Sequence, residues 1–270
     1  MTQPPAPRPD SWRAADYAPH SGLQAAMAAE VLARLALRGD ERLLDLGCGD
    51  GKLSVQVAQR LAQGSVLGVD ASADMIGWAQ RHFGEVPNLR FEVADARALP
   101  YREAFDQVLS FNALHWVPDQ EAALRGIRRA LRPGGRALLR LVTRSETTSL
   151  EAMAEQVRHD PAWAGDFGAL RDPYLRLDAA QYRALAEACG LRVLALEPRA
   201  RRWDFGSDEA FYGFCHAGFG AWTRALPEAR REPFVREVLR RYEALIAERF
   251  GERHCFHFMQ TDVELAPGRG

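Results

Sequence analysis

Residues 43–51 read Leu-Leu-Asp-Leu-Gly-Cys-Gly-Asp-Gly, an apolar run that breaks into glycines at 47, 49 and 51. Glycine at alternate positions lets the backbone turn sharply and lets a ligand approach the main chain. The helix expected to follow offers unpaired N–H groups. A dinucleotide site spaces its glycines G-x-G-x-x-G and faces the helix end at a pyrophosphate. Here the spacing is G-x-G-x-G, and Asp45 stands two residues before the first glycine. A carboxylate there repels a pyrophosphate and suits a ligand that carries an ammonium group. Asp70 ends the next apolar run, 19 residues beyond Gly51, where a carboxylate at a neighbouring strand tip accepts both hydroxyls of a ribose. Acids at such tips often cap the following helix, but Ser72 fills that place. Asp95 lies between Ala94 and Ala96. Small neighbours leave room for a flat ring, and a carboxylate accepts from an exocyclic amine such as that of adenine. Each acid alone says little. Three of them at three successive strand ends converge on the carboxyl edge of a doubly wound sheet.

A second group follows the fourth apolar run, in Phe111-Asn112-Ala113-Leu114-His115-Trp116-Val117-Pro118-Asp119. His115 has an ordinary pKa near 6.5, suited to orienting or deprotonating a substrate; the plainer reading is a polar loop residue that caps the next helix. Trp116 either walls a pocket or packs under the loop. Near the chain start, Tyr17, Ser21 and Gln24 stand at the beginning of a helix expected over 23–37, whose plainer reading is a support for the sheet edge. The stretch from Trp203 to Trp222 is rich in aromatics, among them Phe205, Phe211, Tyr212, Phe214 and Phe219. Aromatics at helical spacing belong mostly to cores, so two or three are expected to touch substrate. His254-Cys255-Phe256-His257 has no further Cys or His at zinc-finger spacing, and no metal is expected there.

These residues need a scaffold. Apolar runs at 42–46, 65–70, 89–94, 105–111 and 136–142 read as strands, with amphipathic helices between them. Leu53, Val57 and Leu61, then Ile76, Ala79 and Phe83, then Leu124, Ile127 and Leu131 each form one apolar stripe. Ser72 and Asp119 stand at N-cap positions, and Pro133-Gly134-Gly135 turns the chain into the next strand. Alternation of this kind implies parallel strands with right-handed crossovers and a sheet covered on both faces. Beyond 142 the rhythm changes, with a sixth strand at 191–198 and a closing strand at 256–266.

The formal net charge is −1, which asks for neither nucleic acid nor an acidic membrane as partner. No apolar run approaches the roughly 18 residues that span a bilayer. Cys48, Cys189, Cys215 and Cys255 lie far apart, as free thiols of a cytoplasmic protein do. The start, MTQPPAPRPD, is rich in proline and reads as a disordered tail.

Residues 43–51, 68–70, 94–95, 111–117 and 131–135 resemble, in order, the cofactor motifs of class I S-adenosylmethionine-dependent methyltransferases, over about residues 40–142. The resemblance implies an α/β fold, a doubly wound seven-strand sheet of order 3-2-1-4-5-7-6 with the last strand antiparallel. It implies Gly47 and Gly49 against the methionine part of the cofactor, Asp70 on the ribose, Met75 and Ala96 on adenine and Asp95 at its amine. Tyr17, Gln24, Asp45, Cys48, Ala71 and Asn112 complete the expected cofactor-binding set, and His115 and Trp116 the catalytic one. Residues 111–119 and the helix after Pro227-Glu228 are similar to the small-molecule branch that includes trans-aconitate methyltransferase and the malonyl-carrier-protein methyltransferases of biotin synthesis. That branch often has glutamine or another residue where this chain has His115.

The expected layout is a tail (1–10), an N-terminal helical lid (11–38), a cofactor-binding core (39–142) and an insertion (143–177). A core helix and strand (178–198), a helical substrate cap (199–251) and a closing strand with tail (252–270) follow. The expected activity is O-methylation of a small carboxylic acid. The alternatives are C- or N-methylation of an aromatic or quinone-like molecule, a cofactor-binding module without catalysis, and an NAD-dependent dehydrogenase, which Asp45 and the glycine spacing oppose.

Overall fold

The computed structural model describes residues 22–175 and 177–268. Seven strands form one sheet: β1 (Arg42–Leu46), β2 (Ser65–Asp70), β3 (Leu89–Val93), β4 (Phe105–Phe111), β5 (Leu131–Thr143), β6 (Leu191–Asp204) and β7 (Cys255–Pro267). Their order is β3-β2-β1-β4-β5-β7-β6, with β7 antiparallel to both neighbours and the other pairs parallel, as the resemblance implies. Leu43 and Leu44, adjacent on β1 and so on opposite faces, are both fully buried, each in a separate apolar cluster. The helices that cover these faces are α1 (Gly22–Arg34), α2 (Lys52–Ala58), α3 (Ala73–Phe83), α4 (Gln120–Ala130) and, later in the chain, α7 (Ala179–Ala188). Ser72 and Asp119 cap as expected: Ser72 Oγ accepts from the Met75 N–H, and the Asp119 side chain from the Ala122 N–H.

A third apolar cluster lies in the cap built from α5 (Leu150–Arg158), α6 (Ala164–Phe167), α8 (Asp208–Gly218), α9 (Gly220–Thr223) and α10 (Glu228–Phe250). The helical cap expected at 199–251 is built of helices between Asp208 and Phe250, but its first residues, 199–204, are strand and not helix. β6 runs six residues past Pro198, and Arg199–Asp204 pairs with Gln260–Cys255 of β7. Proline is tolerated because β6 is an edge strand with β7 as its one partner. The arginines that hide the strand's pattern are paired, Arg202 with Glu252 and Asp204, and Arg199 with Glu197.

A buried ion network fixes α1 to the sheet. Arg140 of β5 is 2% exposed. Its Nε and Nη2 donate to the two oxygens of Asp262 on β7 at 2.6 and 2.9 Å, and its Nη1 to the Met27 carbonyl at 3.0 Å. Arg34 also pairs with Asp262, and Arg201 with Glu30. No helix among the described residues is long and apolar enough to cross a membrane.

Candidate active site at the carboxyl edge of the sheet

β1 leaves the sheet through Gly47, whose φ is 77°. A Cβ there would lie 2.3 Å from the Ala113 Cβ, so the turn after β1 presses directly on the loop after β4. At Gly49, φ 55°, a Cβ would meet nothing within 4 Å, which makes this the open side of the turn. The amides of the turn are already committed. Gly47 and Cys48 donate to the Val69 carbonyl at 2.7 and 3.0 Å, and Gly49 donates to Asp70 Oδ2 at 3.0 Å. This leaves no amide cradle for a pyrophosphate and presents carboxylates in its place. The Cys48 side chain is buried towards β2, so only its main chain lines the turn.

Asp70 ties two turns together, accepting from Gly49 on one oxygen and from the Ser72 N–H at 2.8 Å on the other. Burial raises its pKa against those hydrogen bonds. Asp45 is buried and accepts from Ser54 Oγ at 2.6 Å. Burial pushes its pKa up to about 6, the Ser54 hydrogen bond opposes this, and the nearby Asp70 charge adds to it. Ala71 sits in the turn after Asp70, and Met75 is buried on the first turn of α3. Asp95 follows β3 and caps the short 3-10 turn Ala96–Ala98. The Arg97 guanidinium grips it, Nε at 2.9 and 3.0 Å from its two oxygens and Nη2 at 2.5 Å, and holds its pKa below the usual carboxylate range. Sequence reading missed Arg97; the signal was the two-residue spacing to Asp95.

Asn112 adopts φ 54°, with its N–H on the Arg140 carbonyl at 2.7 Å and its Nδ2 near Met27 Sδ at 3.5 Å. Its Oδ1 is buried and has no hydrogen-bond partner among the described residues. His115 lies in the 3-10 turn Leu114–Trp116 and is 4% exposed. Its Nδ1 accepts from the Val142 N–H at 3.2 Å, and burial lowers its pKa to about 3. The ring is therefore neutral at ordinary pH, and with Nδ1 accepting, its remaining nitrogen, Nε2, carries the proton. Tyr174, which sequence reading missed, has its ring centroid 4.9 Å from those of both His115 and Trp116, and Trp222 stands 5.8 Å from Trp116.

The aromatic stretch is mostly core: Phe211, Phe219 and Trp222 are buried, and Tyr212 lies beneath the Arg236 guanidinium, 4.5 Å away. Tyr17 and Ser21 lie outside the described residues, and of Gln24 only the helical backbone is described. His254 Nδ1 sits 3.0 Å from Asp208 and 3.1 Å from Glu243, the one His–acid cluster of metal-like spacing among the described residues.

A family model described as a methyltransferase domain matches residues 43–135. The chain is 29% identical over 248 residues to a trans-aconitate 2-methyltransferase of Methylobacterium nodulans, covering 88% of this chain and 90% of that one. It is 32% identical over 183 residues to a trans-aconitate 2-methyltransferase of Deinococcus radiodurans, covering 67% and 69%. The crystal structure of the YcgJ protein from Bacillus subtilis superimposes with a TM-score of 0.63 at 18% identity, over 91% of this chain and 100% of that one.

Proposed function

Because the chain belongs to the class I S-adenosylmethionine-dependent methyltransferases, we propose that it methylates a carboxylate oxygen of a small acid. The residues present fit the cofactor. The open side of the turn at Gly49 leaves room for a ligand, and the orphaned Asn112 Oδ1 needs a donor. In this reading the ammonium of the methionine part meets Asp45 and Asn112 Oδ1, with the main chain of Gly47, Cys48 and Gly49 alongside. Asp70 accepts from the ribose with its remaining lone pairs, beside Ala71. Asp95, oriented by Arg97, accepts from the adenine amine, and Met75 and Ala96 flank the ring.

When bound, the cofactor supplies a methyl group on a sulfonium that leaves as a neutral thioether. What remains for the protein is to align the acceptor and exclude water, and positioning of this kind supplies roughly 7–11 kcal/mol. Trp116 and Tyr174 form the wall that keeps water out.

The observation that carries the carboxylate reading is His115 with its Nδ1 committed to Val142. A buried neutral ring whose proton sits on Nε2 donates a hydrogen bond and takes up no proton. That fits an acceptor which arrives already ionised and needs no base. The relatives named for trans-aconitate, itself a carboxylic acid, support the same reading. The aromatic wall favours one second reading, a planar phenol or amine acceptor.

The two halves of the site respond differently to pH. Asp45, with a pKa raised to about 6, is neutral below that pH and loses its pull on an ammonium group. Cofactor affinity is therefore expected to fall about tenfold between pH 7 and pH 5, as protonation empties the ionised form. At saturating cofactor, kcat for a carboxylate acceptor is expected to stay flat from pH 6 to 8, since neither His115 nor the acid titrates there. Titration calorimetry and initial rates across that range check both. A kcat that climbs with pH contradicts the carboxylate reading and favours the phenol or amine.

A further inference from the structure

Gln260 of β7 is 2% exposed, and its Nε2 has no hydrogen-bond partner among the described residues. A buried amide donor left unpaired destabilises a fold, so such a group calls for an explanation. Its position supplies one. Gln260 stands directly opposite Val142 in the β5–β7 register, and Val142 is the residue whose N–H binds His115 Nδ1. The two side chains therefore flank one residue at the carboxyl end of β5, His115 from the β4 side and Gln260 from the β7 side. Neighbouring strands are about 4.8 Å apart, so one small acid is long enough to reach both.

Side chains alternate along a strand, which puts Gln260 on the face of Phe258 and Asp262. Phe258 packs in the cap cluster with Leu23 and Met27 of α1, and Asp262 holds Arg140 beneath α1. Gln260 thus lies on the sheet face covered by α1 and the cap, near the edge of the sheet that carries Asp45, Asp70 and Asn112. The nearby charges are matched among themselves, Asp262 with Arg140 and Arg34, and Glu30 with Arg201. On the opposite face Thr143 and Thr261 satisfy each other at 2.7 Å.

We propose that Gln260 is an acceptor-binding residue, its amide N–H and the His115 Nε2–H being the neutral donors that hold carboxylate oxygens of the substrate acid. This rests on the carboxylate reading above. Neutral donors suit the chemistry. A guanidinium fork would bind the acid more tightly but draw electron density from the attacking oxygen. In the step itself a carboxylate lone pair forms the O–CH3 bond as the C–S bond breaks, and that electron pair stays on sulfur. No proton moves. The methylated carboxyl has lost its charge and accepts more weakly from the same donors, which helps product leave.

Kinetics with trans-aconitate as the probe acid and saturating S-adenosylmethionine test this. Gln260→Leu removes the donor at similar volume. It is expected to raise the KM for trans-aconitate about tenfold to thirtyfold, the value of one hydrogen bond to a charged group. The cofactor Kd should be unchanged, and the melting temperature unchanged or higher because the orphan donor is gone. Gln260→Glu, which sets a negative charge against the acid, should raise KM further than Gln260→Leu does, and Gln260→Asn should fall between wild type and Gln260→Leu. An unchanged KM in Gln260→Leu beside an active wild type overturns this assignment and leaves the carboxylate reading standing. So do equal losses in KM, cofactor Kd and melting temperature across all three variants, the signature of a packing role. A wild type that methylates no carboxylic acid overturns both.

Discussion

Asp70→Ala is expected to weaken S-adenosylmethionine binding by about a hundredfold or more. Two ribose hydroxyls donating to a carboxylate are worth about 3 kcal/mol together, or roughly a hundredfold in affinity. The loss does not stop there, because Asp70 also accepts from the Gly49 and Ser72 amides and so joins the turn after β1 to the turn after β2. Without it both amides lose their acceptor and the cofactor turn loosens. Asp70→Asn should recover little: one end of the amide is an NH2 group that faces an N–H donor. Calorimetric titration of both variants checks this, and binding within a few fold of wild type contradicts the ribose assignment.

Arg140→Ala is the change expected to cost most stability. It leaves Asp262 buried with only Arg34 as partner and removes the side-chain donor to the Met27 carbonyl. Breaking a buried ion pair from one side costs about 3–5 kcal/mol. For a chain of this size that lowers the melting temperature by roughly 10 °C. The double variant Arg140→Met with Asp262→Leu removes both charges and should regain at least half of the loss, since the expensive state is the unpaired charge. Thermal scans decide it. A wild-type melting temperature in Arg140→Ala contradicts the role given to this network in seating α1.

The contrast between what sequence alone showed and what needed the fold follows the range of each signal. The bounds of β1, β2 and β4 coincide with the apolar runs at 42–46, 65–70 and 105–111, because period, glycine and cap signals are all local. The glycine turn and the acids at 45, 70 and 95 were legible for the same reason. Arg140 and Asp262 lie 122 residues apart in the chain, and only the β5–β7 register brings them together. Tyr174 and Gln260 come to the site from an insertion and from the last strand, again without a local signal. The extension of β6 was hidden by Pro198 and by arginines whose charges are matched at Glu197 on the same strand and at Glu252, 50 residues on. His115 shows a different limit. Its type and position were readable, but its protonation is set by burial and by the Val142 amide, which no spacing reveals.

Transfer of a labelled methyl group tests the central claim most directly. The purified chain is incubated with S-adenosylmethionine bearing a trideuterated methyl group, together with trans-aconitate and a panel of small mono-, di- and tricarboxylic acids, phenols and amines. Mass spectrometry then reads every acceptor. The expected product is a trideuteromethyl ester of a carboxylic acid, formed in equal amount with S-adenosylhomocysteine. Cofactor binding with all acids returned unlabelled, while a phenol or an amine gains the label, would contradict it.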